Sequence, residues 1–173
     1  VTHVEEGGIG ERVCIDLTER METGEGLFTG SFSSCLLLIQ AEVMENSHVP
    51  PRPFRVNAGA VHAYVLTPEG KTKYLEELRS GDEVEIWNSK GPLRTAKIGR
   101  LKIERRPFLT IRGRTNRYEG QIMVQQAETV HLIDSEGKSI SATDIIPGQI
   151  LLSYCMGSAR HIGKTVPSRV REV

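Results

Sequence analysis

The feature that most restricts this chain is its apolar spacing: apolar and polar residues alternate over short runs, and no long stretch repeats at helical period. Arg12 to Leu17 and Glu83 to Trp87 alternate, and Arg94 to Glu104 keeps Ala96, Ile98, Leu101 and Ile103 as apolar positions. Phe108 to Ile111, Gln121 to Val124 and Thr129 to Ile133 extend the pattern, whereas Cys35 to Ile39 is continuously apolar, as in a strand covered on both faces. The 17 glycines punctuate these runs. Gly7 to Gly10 predicts a turn, Asn88 to Pro92 a hairpin, and Gly99 a bulge. Leu75 to Arg79 predicts a single helical turn. The expectation is all-β, a barrel-like domain of short antiparallel strands with hairpins and little helix. Length suits one domain over 1–173, with a subdivision near 88–93 as the alternative. Leu78 to Val84 and Ile145 to Leu151 echo each other, with apolar residues three before and three after a turn glycine.

Charge is balanced overall, 22 basic against 22 acidic residues, so nothing draws the whole chain toward nucleic acid or an anionic membrane. Locally it is polarised. Leu93 to Arg117 carries Arg94, Lys97, Arg100, Lys102, Arg105, Arg106, Arg112, Arg114 and Arg117 against Glu104. Val1 to Glu25 carries Glu5, Glu6, Glu11, Asp16, Glu19, Glu22 and Glu25 against Arg12 and Arg20. These stretches are expected to complement each other within the fold or across a homo-oligomer. Aromatics are only 5% of the chain and do not interleave with the basic run, which argues against RNA or DNA as a partner. Cys14, Cys35 and Cys155 read as buried free thiols of a reducing, cytoplasmic compartment. No apolar run reaches membrane-spanning length and no signal peptide opens the chain.

Arg52 to Tyr74, RPFRVNAGAVHAYVLTPEGKTKY, concentrates candidate chemistry. Arg52 and Arg55 flank a fixed Pro53, so two guanidinium forks suited to carboxylate or phosphate leave a stiff strand entry. His62 titrates near neutrality and is followed by strand-like alternation. The competing reading is a satisfied core histidine beside surface arginines. Ala58-Gly59-Ala60 reads as a small-residue hinge. Gly30 to Ser34 is either a phosphate cradle or a plain turn, and no helix follows it. Near the end, Arg160 and His161 form a second Arg/His pair bracketed by glycines.

RPFRVNAGAVHAY, GKTKYLEELRSGDEV, IGRLKIERRP and QAET, with GERVCIDL, GEGLFTGSFS and ARHIG, together resemble the second half of the class II, archaeal-type 3-dehydroquinate synthases. The resemblance implies the C-terminal β domain of a two-domain enzyme of the shikimate pathway of aromatic amino-acid biosynthesis. It implies NAD-dependent oxidative deamination and cyclisation of 2-amino-3,7-dideoxy-D-threo-hept-6-ulosonate to 3-dehydroquinate. NAD would be bound mainly by the N-terminal half, since no GxGxxG follows a strand here. Expected catalytic residues are His62, Lys71, Lys102 and Glu104, with Arg52, Arg55, Asn57, Lys73, Arg160 and His161 binding substrate. Glu25 and Glu42 are candidate ligands for a divalent metal. Two departures stand out. Ala60 replaces the proline of the dehydroquinate-forming pattern, as in relatives that make 3-amino-4-hydroxybenzoate without a redox step. Gln40 replaces a histidine. The remaining alternative is a non-catalytic β-barrel that dimerises the enzyme or covers its site.

Overall fold

The computed structural model describes residues 1–156 and Glu172, with backbone alone at Arg160–His161 and Lys164–Thr165. Its strands are β1 (His3–Leu17), β2 (Gly26–Gly30), β3 (Cys35–Gln40), β4 (Arg55–Ala60), β5 (Tyr64–Thr67), β6 (Lys71–Tyr74), β7 (Glu83–Asn88), β8 (Gly91–Arg114), β9 (Glu119–Gln125), β10 (His131–Ile133), β11 (Ser139–Ser141), β12 (Ser153–Cys155), β13 (Arg160–His161) and β14 (Lys164–Thr165). Three short 3-10 turns are the only helical elements among the described residues. The all-β expectation holds.

The barrel does not. Strands follow one another in the order β11-β10-β3-β2-β7-β8-β1-β4, and the two ends are not joined. The physical reason lies in β1 and β8, which run 15 and 24 residues as one antiparallel ribbon from His3 opposite Arg112 to Leu17 opposite Ile98. Bulges let these strands continue where the sequence suggested breaks. The Gly7–Gly10 turn is instead a bulge between Glu6 and Ile9, whereas Gly99 is a bulge as expected, with Arg100 opposite Asp16 and Ile98 opposite Leu17. The hinge at Ala58-Gly59-Ala60 is likewise a bulge within buried β4, because Gly59 lies opposite Val13 while Asn57 lies opposite Cys14.

The ribbon lays the acidic arm along the basic run within the fold. Asp16 meets Arg100 at 2.7 Å and Glu5 meets Arg112 at 3.4 Å, while Arg94 pairs with both Glu19 and Glu25. Beneath lies the core: Val13, Ile15, Ile39, Val56, Ile86, Ile98, Ile111, Ile122 and Leu132 are at most 1% exposed. Burying each such aliphatic chain stabilises the fold by roughly 1.5–3 kcal/mol. This core draws on both sides of the β7–β8 hairpin at 88–91. A second cluster stacks Phe28, Trp87 and Tyr154, with ring centroids 5.4 to 5.6 Å apart. β2 and β3 approach so closely that a Cβ on Gly26 would lie 1.8 Å from the Ile39 carbonyl oxygen.

The sequence echo is part of a longer repeat. β5 and β6 lead into the 3-10 turn Leu75–Glu77 and Gly81; β10 and β11 lead into Ala142–Asp144 and Gly148. Leu75 donates its N–H to Ala63 and Ala142 donates to Val130, at 2.7 and 2.8 Å. Gly81 and Gly148 both adopt left-handed φ, 92° and 97°, which favours glycine. Lys71 pairs with Glu69, and Lys138 pairs with Glu136 at the matching place.

One cysteine expectation is corrected. Cys35 and Cys155 face each other on β3 and β12 with Cα atoms 4.1 Å apart and are disulfide-bonded, so among the three only Cys14 is a buried free thiol. Met156 N–H donates to Ser34 O, which makes Cys35/Cys155 a non-hydrogen-bonded pair, the closer of the two antiparallel spacings. Among the described residues, no helix is long and apolar enough to cross a membrane.

Candidate anion-binding site

Residues two apart on a strand share a face, so the register of β4, β1 and β8 sets polar side chains in rows. Arg55, Asp16 and Arg100 form one row; Asn57, Cys14 and Lys102 the next; Ala60, Arg12 and Glu104 the third. Arg106 follows on β8, opposite Gly10. The opposite face carries Val13, Ile15 and Val56 into the core.

In the first row Arg55 donates from Nε and Nη2 to the two Asp16 oxygens at 2.7 and 3.0 Å, and Arg100 Nε donates to the same carboxylate at 2.8 Å. Asp16 is 3% exposed and Arg55 8%. Burial alone would raise the Asp16 pKa, but the bonds from Arg55 and Arg100 outweigh it and hold the carboxyl below its usual 3.8. Arg55 is therefore not a free fork for substrate; it is the counter-ion of Asp16. Arg52 is committed in the same way, though less deeply, donating to Glu42 at 3.2 Å from a side chain 37% exposed.

In the third row Glu104 accepts from Arg12 at 2.5 Å and Arg106 at 3.1 Å, with Lys102 at 3.3 Å. Burial pushes against ionisation, yet Lys102, Arg106 and Arg12 together hold the Glu104 pKa below 4.5. Arg12 Nη1 donates to Cys14 Sγ at 2.7 Å. Burial pushes the Cys14 thiol up to about 11, with Arg12 only partly opposing, so this sulfur is inert packing rather than a nucleophile. Among the described residues Arg12 Nε and Asn57 Oδ1 find no partner, although Arg12 is 5% and Asn57 2% exposed. Asn57 Nδ2 is bonded to Gln125 at 2.9 Å. Across this face six cations (Arg12, Arg52, Arg55, Arg100, Lys102, Arg106) stand against three carboxylates (Asp16, Glu42, Glu104). The surplus is positive.

His62 does not join this array. It lies in the turn past β4, just before β5, the strand that the alternation following it predicted, and its Nε2 sits 3.0 Å from Ser31 Oγ. β4 rises about 3.3 Å per residue, which puts its Arg55 and Ala60 ends on the order of 15 Å apart, with His62 in the turn beyond Ala60. Neither of the two best-formed clefts among the described residues is lined by Arg52, Arg55 or His62. Burial lowers the His62 pKa below 6.5, favouring a neutral imidazole at pH 7. Its partner's loop is fixed by Ser31 N–H donating to Gln121 O at 2.7 Å. A cleft of ≈ 340 Å³ beside this loop is lined by Phe32, Gln121, Arg112, Arg114 and Glu172.

The remaining candidates scatter. Lys71 pairs with exposed Glu69, and Lys73 meets Asp82 at 3.2 Å. Glu25 accepts from Arg94 at 2.9 and 3.1 Å; burial would raise its pKa, and Arg94 brings it below 4.5. With Glu25 held by Arg94 and Glu42 by Arg52, neither carboxylate is free for a cation, and no metal-binding group of three or more His, Cys, Asp or Glu occurs among the described residues. The side chains of Arg160 and His161 lie outside the described residues.

Comparison with known proteins decides the lineage. The family model for the 3-dehydroquinate synthase II C-terminal domain matches residues 1–173. This chain belongs to that family. Curated relatives named 3-dehydroquinate synthase include those of Methanopyrus kandleri, 49% identical over 175 residues, and Methanosphaera stadtmanae, 46% identical over 172; each alignment covers 99% of this chain but 44% and 48% of the relative. The protein of Methanoregula boonei is 43% identical over 173 residues, which span 53% of its length. The chain thus spans about half the length of these relatives. No solved structure matches it.

Within this synthase II domain, five polar residues at or beside the site were not among the expected site residues: Arg12, Asp16, Arg100, Arg106 and Ser31. A signal existed for four of them. Alternate positions of RVCIDL place Arg12, Cys14 and Asp16 on one face, and RLKIERR does the same for Arg100, Lys102, Glu104 and Arg106. Ser31 had none, because its partner His62 comes from a different hairpin. Gln40, at the departure from the family histidine, is structural: 2% exposed, it accepts from Gly24 N–H at 2.8 Å and Ser139 Oγ at 2.5 Å.

Proposed function

We propose that this chain supplies one half of an NAD-dependent enzyme that oxidatively deaminates and cyclises 2-amino-3,7-dideoxy-D-threo-hept-6-ulosonate to 3-dehydroquinate. The observation that carries the reading is the family match over the whole chain together with a rigid, positively surplus sheet face suited to an acid substrate. NAD, held mainly by residues outside this chain, would supply the hydride acceptor for the amine-bearing carbon, with water then replacing the amine as ammonia is released. The chain's own residues do the rest. Arg100, 65% exposed beside buried Asp16, holds the substrate carboxylate, with Arg52 at the same end of the face. Arg55 positions Arg100 through the shared carboxylate. Lys102 offsets charge developing on the enolate during ring closure. Neutral His62 takes or returns a proton from the adjoining turn, reached by a substrate enclosed between this chain and the other half.

Ala60, which stands where the dehydroquinate-forming pattern has proline, favours a second reading, the redox-free closure to 3-amino-4-hydroxybenzoate. One experiment separates them. A protein carrying both halves is incubated with the aminoheptulosonate with and without NAD, following reduced cofactor by absorbance and product by mass. NAD-dependent dehydroquinate is expected. An aromatic amine formed without NAD selects the second reading, and no product under either condition overturns both.

A further inference from the structure

The rows of the polar face differ in their charge balance. Around Asp16 two arginines share one carboxylate, leaving a surplus of one positive charge. Around Glu104 three cations, Arg12, Lys102 and Arg106, share one carboxylate, leaving a surplus of two. A carboxylate matches the first surplus. It does not match the second. Arg100 and Arg106 are six residues apart on one extended strand, on the order of 20 Å, so one carboxylate group cannot satisfy both ends.

Two further observations single out the Glu104 end. Arg12 is 95% buried in effect, at 5% exposure, yet its Nε has no acceptor among the described residues while Nη1 and Nη2 both do. This buried guanidinium lies out of reach of solvent and adds positive charge beneath the exposed cations at this end. Lys102 and Arg106 flank it with side chains 49% and 41% exposed, open to an arriving ligand.

We propose that Arg12, Lys102 and Arg106, around Glu104, form a second anion subsite that takes a phosphate-type dianion, either a phosphate monoester or a diphosphate. The inference rests on the proposed NAD-dependent reading and extends it: this half of the enzyme, and not only the other, grips a phosphorylated ligand. Lys102 and Arg106 bind oxygens of the phosphate, buried Arg12 adds positive charge beneath them, and Glu104 keeps the cations in place.

The test is isothermal titration of this chain at low ionic strength with pyrophosphate, ADP-ribose, a sugar monophosphate and acetate. The phosphate-type ligands are expected to bind at least tenfold tighter than acetate. Lys102→Gln and Arg106→Gln each weaken them roughly tenfold, in line with the loss of one charge-assisted bond. Arg117→Gln, in the exposed loop of the same basic stretch, leaves binding unchanged. Both informative positions are surface-exposed, and urea unfolding of each variant confirms an intact fold. ADP-ribose binding tightest identifies a dinucleotide as the source; the sugar monophosphate binding tightest identifies a phosphorylated substrate. Equal binding of acetate, equal losses at Arg117 and Arg106, or no binding at all overturns the subsite. Titration does not involve turnover, so its failure leaves the proposed reaction standing, and failure of the reaction leaves a measured subsite standing.

Discussion

Replacing Asp16 by asparagine keeps its shape and removes its charge. Arg55, 8% exposed, would then remain buried beside a neutral amide, while Arg100, whose side chain is 65% exposed, can turn to water. Breaking a buried pair by removing one partner costs about 3–5 kcal/mol, because the surviving charge stays desolvated. For a chain of this size that corresponds to a fall in Tm of roughly 6–20 °C. Asp16→Leu with Arg55→Met removes both charges and is expected to recover most of the loss. The assay is urea denaturation at pH 7 with an unchanged slope. Acid titration adds a second check. Because the folded pKa of Asp16 lies below its ordinary 3.8, its contribution is complete above that value and is lost as pH falls through the folded pKa. Wild type should therefore lose stability more steeply than Asp16→Asn below about pH 4. A loss under about 1 kcal/mol in Asp16→Asn, within the range of an exposed ion pair, would refute the claim that this pair frames the site.

Two other outcomes follow from the packing. Gly26→Ala places a methyl group against the Ile39 carbonyl and is expected to cost more than about 3 kcal/mol or abolish soluble expression; a variant within about 1 kcal/mol of wild type contradicts the close β2–β3 approach. Cys14, its thiol pushed up to about 11 by burial, should resist iodoacetamide at pH 8 in the folded chain and react once urea unfolds it. Alkylation of the folded protein at the rate of a free thiol would refute that burial.

Strand alternation is a local property, and the expected runs at Cys35, Glu83 and Gln121 fall on β3, β7 and β9. The hairpin at 88–91, the helical turn at Leu75 and the bulge at Gly99 were legible for the same reason, since each is set by neighbouring residues. What was not legible is non-local. Whether Gly7-Gly8 turns the chain or merely bulges it depends on β8 running alongside for its full length. Whether Arg55 is free depends on Asp16, which the register alone sets opposite it. The same applies to Cys35 and Cys155, far apart in sequence and adjacent only through the β3–β12 ladder. Proximity of Arg52, Arg55 and His62 in sequence suggested one cavity; an extended strand carries such neighbours apart instead.

The internal repeat bears on what His62 is for. In the first copy the turn after β4 is closed by Ala63 N–H donating to Ala60 O at 2.9 Å; in the second, Val130 donates to Ala127 O at 3.2 Å. Backbone bonds build both turns, and the position before the donor is His62 in one and Thr129 in the other. A threonine therefore serves this turn as well as a histidine does, and the one hydrogen bond of the imidazole at 62 among the described residues is its exposed one to Ser31 Oγ. The prediction is that His62→Thr changes unfolding free energy by no more than about 0.5 kcal/mol, as for a surface substitution, while abolishing turnover in the two-half protein. Its lowered pKa gives the sign of a further effect: protonation opposes the folded state, so stability at this position is complete above 6.5 and declines as pH drops through the folded value. That decline should vanish in His62→Thr. Destabilisation of the variant by 2 kcal/mol or more, against the ~0.5 kcal/mol of an ordinary surface change, would make His62 a structural residue, and undiminished turnover would remove it from the chemistry.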